Sequence, residues 1–301
     1  MNVPKVSVIM PAYNHERYVG EAIESVLNQS FTDFEFIIIN DGSTDDTDNV
    51  IRSYNDNRIY YYSQENKDAF NTINRGLLIA KGKYISIINS DDVYHEERLS
   101  SLVKTIEEYD ACFLITNTCL IDEASVPIND PSHLSCIWLK RLLSIYKETK
   151  SLELTYLSGN LGVTTSNYFF ASDVIKEVGI FSSYRYSHDY DYALRALAKY
   201  RDKFMFLEEK IHLNYRVHVE NTISKSSVGV INDGFNILLN NLPNFISNGE
   251  DQAKIKIAGK SFIEMYDVLI NTIDAKSIEL EAIKSTWLYK IYNKLRNTFN
   301  N

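Results

Sequence analysis

The sequence predicts an α/β fold: a mainly parallel sheet flanked by helices, followed by a C-terminal helical extension. Two observations carry this expectation. Short runs rich in β-branched and aromatic residues alternate with segments of helical periodicity from Lys5 to about Ile106, the pattern of strand–helix–strand units. Three of these runs end in small polar clusters: Pro11-Ala12-Tyr13-Asn14, Asn40-Asp41-Gly42-Ser43 and Asn89-Ser90-Asp91-Asp92. In a parallel sheet such ends share one rim, and open α/β sheets bind their ligands there. The 301 residues suffice for one large domain, or a domain with an appendage, around a substantial core.

Taken in order, Lys5–Met10 is a strand expected to break at Pro11, and Val19, Ile23 and Val26 mark one face of the helix behind it. Phe34–Ile39 is the second strand, and a helix leads on to the third, Ile59–Tyr62. Asp68–Lys81 reads as a helix with Gly82 at its C-terminal end. Lys83–Ile88 is a buried strand, and the helix after it carries Leu99, Leu102, Val103 and Ile106. Ala111–Ile121 is a further strand, followed by a loop with Pro127 and Pro131 and a helix with Leu134, Ile137, Trp138, Leu142 and Ile145. Asp173–Val178 is a short helix closed by Gly179, His188 opens a longer one, and Ile211–His218 is a strand. Beyond about Val228 the chain reads as helical. A boundary near Thr222–Lys225 divides a domain of residues 1–224 from an extension of residues 225–301.

Composition narrows the function. A formal net charge of −9 argues against a nucleic-acid binder, which needs a basic face. Met1-Asn2-Val3-Pro4-Lys5 lacks the pattern of a signal peptide, and no apolar run approaches the roughly 20 residues of a membrane-spanning helix. Cys112, Cys119 and Cys136 are odd in number and spaced unlike a zinc site, so they read as reduced, buried thiols of a cytoplasmic protein.

The polar clusters suggest chemistry, each beside a plainer reading. Adjacent carboxylates at Asp91 and Asp92, where a core strand surfaces, repel each other unless something positive sits near them. Hard oxygen ligands of this kind suit magnesium or manganese; an Asp-rich helix cap is the alternative. Tyr13 suits an aromatic plate for a nucleobase, or a tyrosine packed over the sheet edge. Gly42 permits a tight turn, and Asp41 is able to accept from the imide of a uracil ring. Ser43, Thr44 and Asp45 are good helix caps, but Asp41 sits too early to be one. Asp189, in the first turn of a helix, is kept ionised by the helix dipole and is a competent base for a sugar hydroxyl, or simply a helix-start charge. Asp191, four residues before Arg195, reads as an intrahelical ion pair. Arg216 and His218, two apart on a strand, face the same way. Pointed at the rim they suit a diphosphate, with His218 reaching a metal; on a surface strand they are only long polar side chains.

In this order and spacing, the elements from Lys5 to Ser224 resemble the family 2 inverting glycosyltransferases of the GT-A, Rossmann-like fold. The matching segments are Val6–Asn14, Asn40–Asp45, Asn89–Asp92, His188–Asp191 with Leu194-Arg195, and Tyr215–His218 with Asn221-Thr222. The resemblance implies a donor site of Pro11, Ala12, Tyr13, Asn14, Asp41, Ser90, Asp91 and Arg216, with Tyr13 and Asp41 holding a base that is most often uracil. It implies a divalent metal, Mn2+ or Mg2+, on Asp91 with Asp92 and His218, and Asp189 as the catalytic base. Two positions depart from the family pattern: Asn89 stands where an aspartate is usual, lowering the charge offered to a metal, and His188 where glutamate is frequent. The implied partners are a nucleotide sugar, UDP-linked, and a glycan or lipid-linked glycan acceptor of bacterial surface polysaccharide synthesis. The insert from about Asp122 to Leu161 falls where family members build acceptor walls. A sugar nucleotidyltransferase is the competing enzyme reading, but Pro11-Ala12-Tyr13-Asn14 lacks the glycine and positive charge that class wants. Asn89 keeps a non-catalytic nucleotide- or glycan-binding module in view.

The tail is amphipathic: Leu288, Ile291, Tyr292, Leu295 and Phe299 share a helical face, with Lys290, Lys294 and Arg296 elsewhere. Such a 287–299 helix suits either an anionic membrane surface or its own domain. The expected location is cytoplasmic, with peripheral contact on the inner face of the membrane as the option this helix adds.

Overall fold

The computed structural model describes residues 3–219, 221, 227–246 and scattered positions from 254 to 296. The expected boundary at Thr222–Lys225 and the 287–299 helix, apart from the helical Asn293 and Arg296, lie outside the described residues. The chain divides into two compact units, Met1–Leu139 with Gly162–His218, and Lys140–Leu161 with Val219–Asn301.

The elements run in order as β1 (Val6–Ala12), α1 (Val19–Leu27), β2 (Phe34–Asn40), α2 (Thr47–Arg52), β3 (Ile59–Ser63) and α3 (Ala69–Ile79). They continue with β4 (Tyr84–Ile87), β5 (Val93–Tyr94), α4 (Arg98–Glu108), β6 (Phe113–Ile121), α5 (Leu134–Thr149) and α6 (Leu152–Ser158). The last are β7 (Phe169–Ala171), α7 (Val174–Val178), α8 (His188–Lys199), β8 (Phe204–Arg216) and α9 (Ser227–Asn241). In the second unit, Lys254 pairs with Glu153 at 2.9 Å, and Arg141 donates to the Ser158 carbonyl and pairs with Glu264. No helix among the described residues is long and apolar enough to cross a membrane.

The first unit is built on an eight-stranded sheet of order β3-β2-β1-β4-β7-β6-β8-β5. The wing β3-β2-β1-β4 is parallel throughout, as expected. Antiparallel pairing enters with β7, which lies between β4 and β6, and with the short β5 on β8. Every residue of β1 and β2 is buried, because helices cover both faces. On one face Val6, Val8 and Met10 join Val19, Ile23 and Val26 of α1 and Leu99 and Leu102 of α4 in the core. On the other, α3 comes so close that a Cβ on Gly76 would stand 2.4 Å from the Ile9 side chain.

Two expectations about chain breaks are corrected. Pro11 does not end the first strand, which runs on through Ala12. Alternate residues of a parallel strand address opposite neighbours; the Ala12 carbonyl accepts from Asp41 on the β2 side, and the Ile9 carbonyl from Ile88 on the β4 side. The donor that Pro11 lacks therefore faces β4, whose ladder with β1 stops at Ile87, so little is lost. Gly82 is not the cap of α3, which has already turned extended at Ala80. Gly82 instead lets the chain press onto β1: its N–H donates to Ser7 Oγ at 2.8 Å, and a Cβ there would stand 2.4 Å from the Ser7 nitrogen. β8 also begins earlier than expected, because the polar Glu208-Glu209-Lys210 run and the register shifts opposite Thr116–Thr118 mask its alternation. The three cysteines are free and half-buried rather than fully buried.

Candidate active site

The three polar clusters meet at the C-terminal rim of the parallel wing. The Asp41 N–H donates to the Ala12 carbonyl at 2.8 Å. The Asn14 N–H donates to Ser43 Oγ, and Asn14 Oδ1 accepts from the Thr44 N–H at 2.8 Å. Asn14 is left-handed at φ 52°, a conformation asparagine tolerates better than most residues, so it serves as the knot between the first two loops. Tyr13 beside it is 42% exposed, its ring available to stack. Asp41 is buried, and its Oδ1 accepts from Gln64 Nε2 at 2.6 Å and the Lys67 N–H at 3.0 Å. These bonds lock its carboxylate in one orientation beside the tyrosine loop.

The loop after β4 divides its four side chains among different tasks. Asn89 commits its side chain to the 164–165 segment, donating to Thr164 Oγ1 at 2.9 Å and accepting from Thr165 Oγ1 at 3.0 Å. Ser90 Oγ lies 2.8 Å from His15 Nδ1. Asp91 Oδ2 lies 2.9 Å from His218 Nε2 and 3.9 Å from His15 Nε2. Asp92 is fully enclosed, accepting from Ser166 Oγ at 2.5 Å and from the Arg216 N–H at 3.0 Å. Burial and then the Asp91 charge raise the Asp92 carboxyl well above the ordinary range, against the Ser166 and Arg216 bonds. For Asp91, burial acts in the same direction, but the charge of His15 and the hydrogen bond and charge of His218 outweigh it and hold the carboxyl low. Of the adjacent pair, Asp91 is thus the one whose surroundings favour its charge.

His15, Asp91 and His218 offer donor atoms that all lie within 4.8 Å of one another. Bonds of about 2.0–2.2 Å to one ion place its donors roughly 3–4 Å apart, so a divalent cation would draw these three donors somewhat closer together than they stand here. Asp92 is not among the three, a departure from the expected ligand set. Its oxygens are used to hold the loop that presents Asp91.

Arg216 is also placed differently from the expectation at the donor diphosphate. It is fully buried, with Nε donating to the Asp91 carbonyl at 2.8 Å, Nη1 to the Asp122 carbonyl and Ser125 Oγ, and Nη2 to Glu21 at 2.6 Å. Its guanidinium also lies 4.9 Å from the Tyr18 ring centroid. With every nitrogen engaged by protein, Arg216 pins the Asp91 loop from behind. His15 is the residue that sequence reasoning missed. Its one signal was an imidazole directly after the Tyr13-Asn14 pair, and its partners lie far off in the chain.

Asp189 is half-buried at the second position of α8. The Tyr190 N–H donates to its Oδ1 at 2.8 Å, and Tyr168 Oη donates to its carbonyl at 2.8 Å. Burial, then the charges of Asp92, Asp91 and Asp189, push the Tyr215 phenol upward. His188 packs with Phe70 and Phe181 at ring separations of 6.4 and 6.0 Å, and its Nδ1 is buried without a partner. Burial lowers its pKa to about 4, against weaker opposing contacts, so it is a neutral packing residue at pH 7. Asp191 pairs with Arg195 at 2.9 Å as expected, and also accepts from Ser182.

Comparison with known proteins bears on the family and the fold. The family model described as glycosyl transferase family 2 matches residues 7–169. An uncharacterised glycosyltransferase of Rickettsia typhi is 30% identical over 213 residues, covering 69% of this chain and 64% of that protein. TuaG of Bacillus subtilis, named for teichuronic acid biosynthesis, is 34% identical over 133 residues, covering 43% of this chain and 53% of TuaG. The chain thus spans less than two thirds of either relative. Among solved structures, residues 1–349 of TarS from S. aureus in complex with UDP-GlcNAc align over 90% of this chain and 77% of that one, with a TM-score of 0.64 and 17% identity, a likeness of fold. The chain belongs to glycosyl transferase family 2.

Proposed function

We propose that this chain transfers a sugar from a nucleotide sugar, UDP-linked, to a glycan or lipid-linked glycan acceptor, with inversion at the anomeric carbon and a divalent metal at Asp91 and His218. The observation that carries the proposal is the ionised Asp91 held between two imidazoles on the same rim as Tyr13 and Asp41. In this reading Tyr13 stacks on the base, and Asp41, oriented by Gln64 and the Lys67 N–H, accepts from its imide. A bound dication supplies Lewis acidity, offsetting the negative charge that develops on the leaving diphosphate.

The remaining work falls to Asp189. The acceptor oxygen attacks the anomeric carbon from the face opposite the diphosphate and forms the new C–O bond. The bond to the diphosphate oxygen breaks and takes its electron pair with it, while the hydroxyl proton passes to Asp189. The Tyr190 N–H and the helix dipole keep that carboxylate ionised and oriented for the transfer. Asn89, the ground for a non-catalytic module, is engaged by Thr164 and Thr165. The likeness to TuaG, named for teichuronic acid biosynthesis, supports bacterial surface polysaccharide assembly as the setting. The amphipathic 287–299 segment supports peripheral membrane contact, which flotation with anionic vesicles would reveal. For the central reaction, UDP with manganese is expected to raise the melting temperature, and Asp91→Ala to abolish the shift. No shift with any nucleoside diphosphate plus metal would overturn the proposal.

A further inference from the structure

We infer that His15 is a third metal ligand, making the site a centre of two imidazoles and one carboxylate that favours first-row transition dications over magnesium. The inference rests on the metal-dependent reading above and adds a ligand and a selectivity to it. His15 is held at both ends. Its N–H donates to Thr47 Oγ1 at 2.9 Å, and its Nδ1 lies 2.8 Å from Ser90 Oγ. With Nδ1–H donating to Ser90, Nε2 carries a lone pair on the side of Asp91, 3.9 Å away. A metal-bound histidine donates its other ring N–H to a neighbouring oxygen, which fixes the tautomer and aims the free nitrogen at the ion. The ring also lies edge-on to His218, at 5.7 Å between centroids, so the two imidazoles approach Asp91 in fixed relation.

The neighbouring side chains leave the site with a single carboxylate. Asp92 is committed to Ser166 and the Arg216 N–H, and Asn89 to Thr164 and Thr165. Magnesium prefers oxygen donors and keeps its water, whereas imidazole raises affinity along the series from manganese to cobalt and beyond. A purely structural role, in which two histidines merely neutralise Asp91, would show no such discrimination.

The test uses the full chain with manganese, magnesium and cobalt as probes, without donor. Free Mn2+ is titrated by electron paramagnetic resonance against wild type, His15→Ala, Ser90→Ala and Asp91→Asn, and bound Mn2+ is examined for nitrogen couplings by pulsed methods. Wild type is expected to bind cobalt more tightly than manganese and manganese more tightly than magnesium, with couplings from two imidazoles. His15→Ala should weaken manganese binding by about tenfold or more, narrow the manganese-to-magnesium ratio and leave one imidazole coupling; Ser90→Ala should weaken it by roughly tenfold. If His15→Ala does not fold, the wild-type couplings and Ser90→Ala decide. Unchanged affinity and couplings in His15→Ala, with binding lost in Asp91→Asn, would overturn the role of His15 and leave the metal reading intact. Absence of metal binding by wild type, with or without UDP, would overturn both.

Discussion

Replacing Arg216 separates a donor-binding role from a structural one. The side chain is fully buried and spans three segments: the Asp91 loop, the Asp122–Ser125 turn and Glu21 of α1. In Arg216→Met the buried carbonyl of Asp91 loses its donor, at about 1–3 kcal/mol for a buried acceptor left unsatisfied, and the part-buried Asp122 carbonyl loses its own at a lower cost. The Glu21 carboxylate is 43% exposed and regains water, so its share is small, roughly 0–1 kcal/mol. Methionine keeps part of the packing on Tyr18. A loss of about 3–5 kcal/mol is therefore expected, in the range seen when a buried ionic network loses one partner. Arg216→Lys should recover only part of it, because one ammonium cannot reach three segments at once. Urea unfolding followed by circular dichroism measures the loss, and calorimetric titration with UDP and manganese measures donor binding. Wild-type stability in Arg216→Lys combined with a large loss of UDP affinity would refute the argument and return Arg216 to the diphosphate.

Three further outcomes follow from the same geometry. Asp189→Asn should bind UDP and manganese as wild type does while sugar transfer falls by about 10²–10⁴-fold, the usual worth of a positioned base; transfer at the wild-type rate would remove Asp189 from the chemistry. His188, through burial, and His212, through burial and then the charges of Arg98, Lys210 and His95, both have pKa values of about 4 in the fold against 6.5 ordinarily. The unfolded chain therefore binds more protons between those values. Their stabilisation is whole above pH 6.5 and is lost toward pH 4, at up to about 1.4 kcal/mol per pH unit for each histidine. His188→Phe should flatten the fall in urea midpoint between pH 7 and 5, and an identical slope would count against a buried neutral ring. Gly82→Ala should cost about 1–3 kcal/mol by overpacking, since its Cβ would meet the backbone of Ser7 and Val6 at 2.4 and 2.7 Å; an unchanged melting temperature would contradict that close approach.

What the sequence by itself determined was the frame of this molecule. Periodicity in Val6–Met10, Phe34–Ile39 and Tyr84–Ile87 specified buried parallel strands. The polar residues that follow them specified a common rim, because an apolar ladder cannot continue through Asn40-Asp41-Gly42 or Asn89-Ser90-Asp91-Asp92. The family was legible in the same segments. Only the tertiary structure decided which polar side chain does what. Asp91 and Asp92 are adjacent and alike in sequence, yet one meets His15 and His218 while the other is enclosed by Ser166 and Arg216. Arg216 and His218 share a pattern, yet Arg216 is sealed behind the loop whose carboxylate His218 touches. Local pattern fixes where a side chain leaves the backbone. It carries no record of the partner that the fold brings from 75 or 127 residues away, as with His15 to Ser90 and His218 to Asp91. Ionisation and ligation depend on that partner.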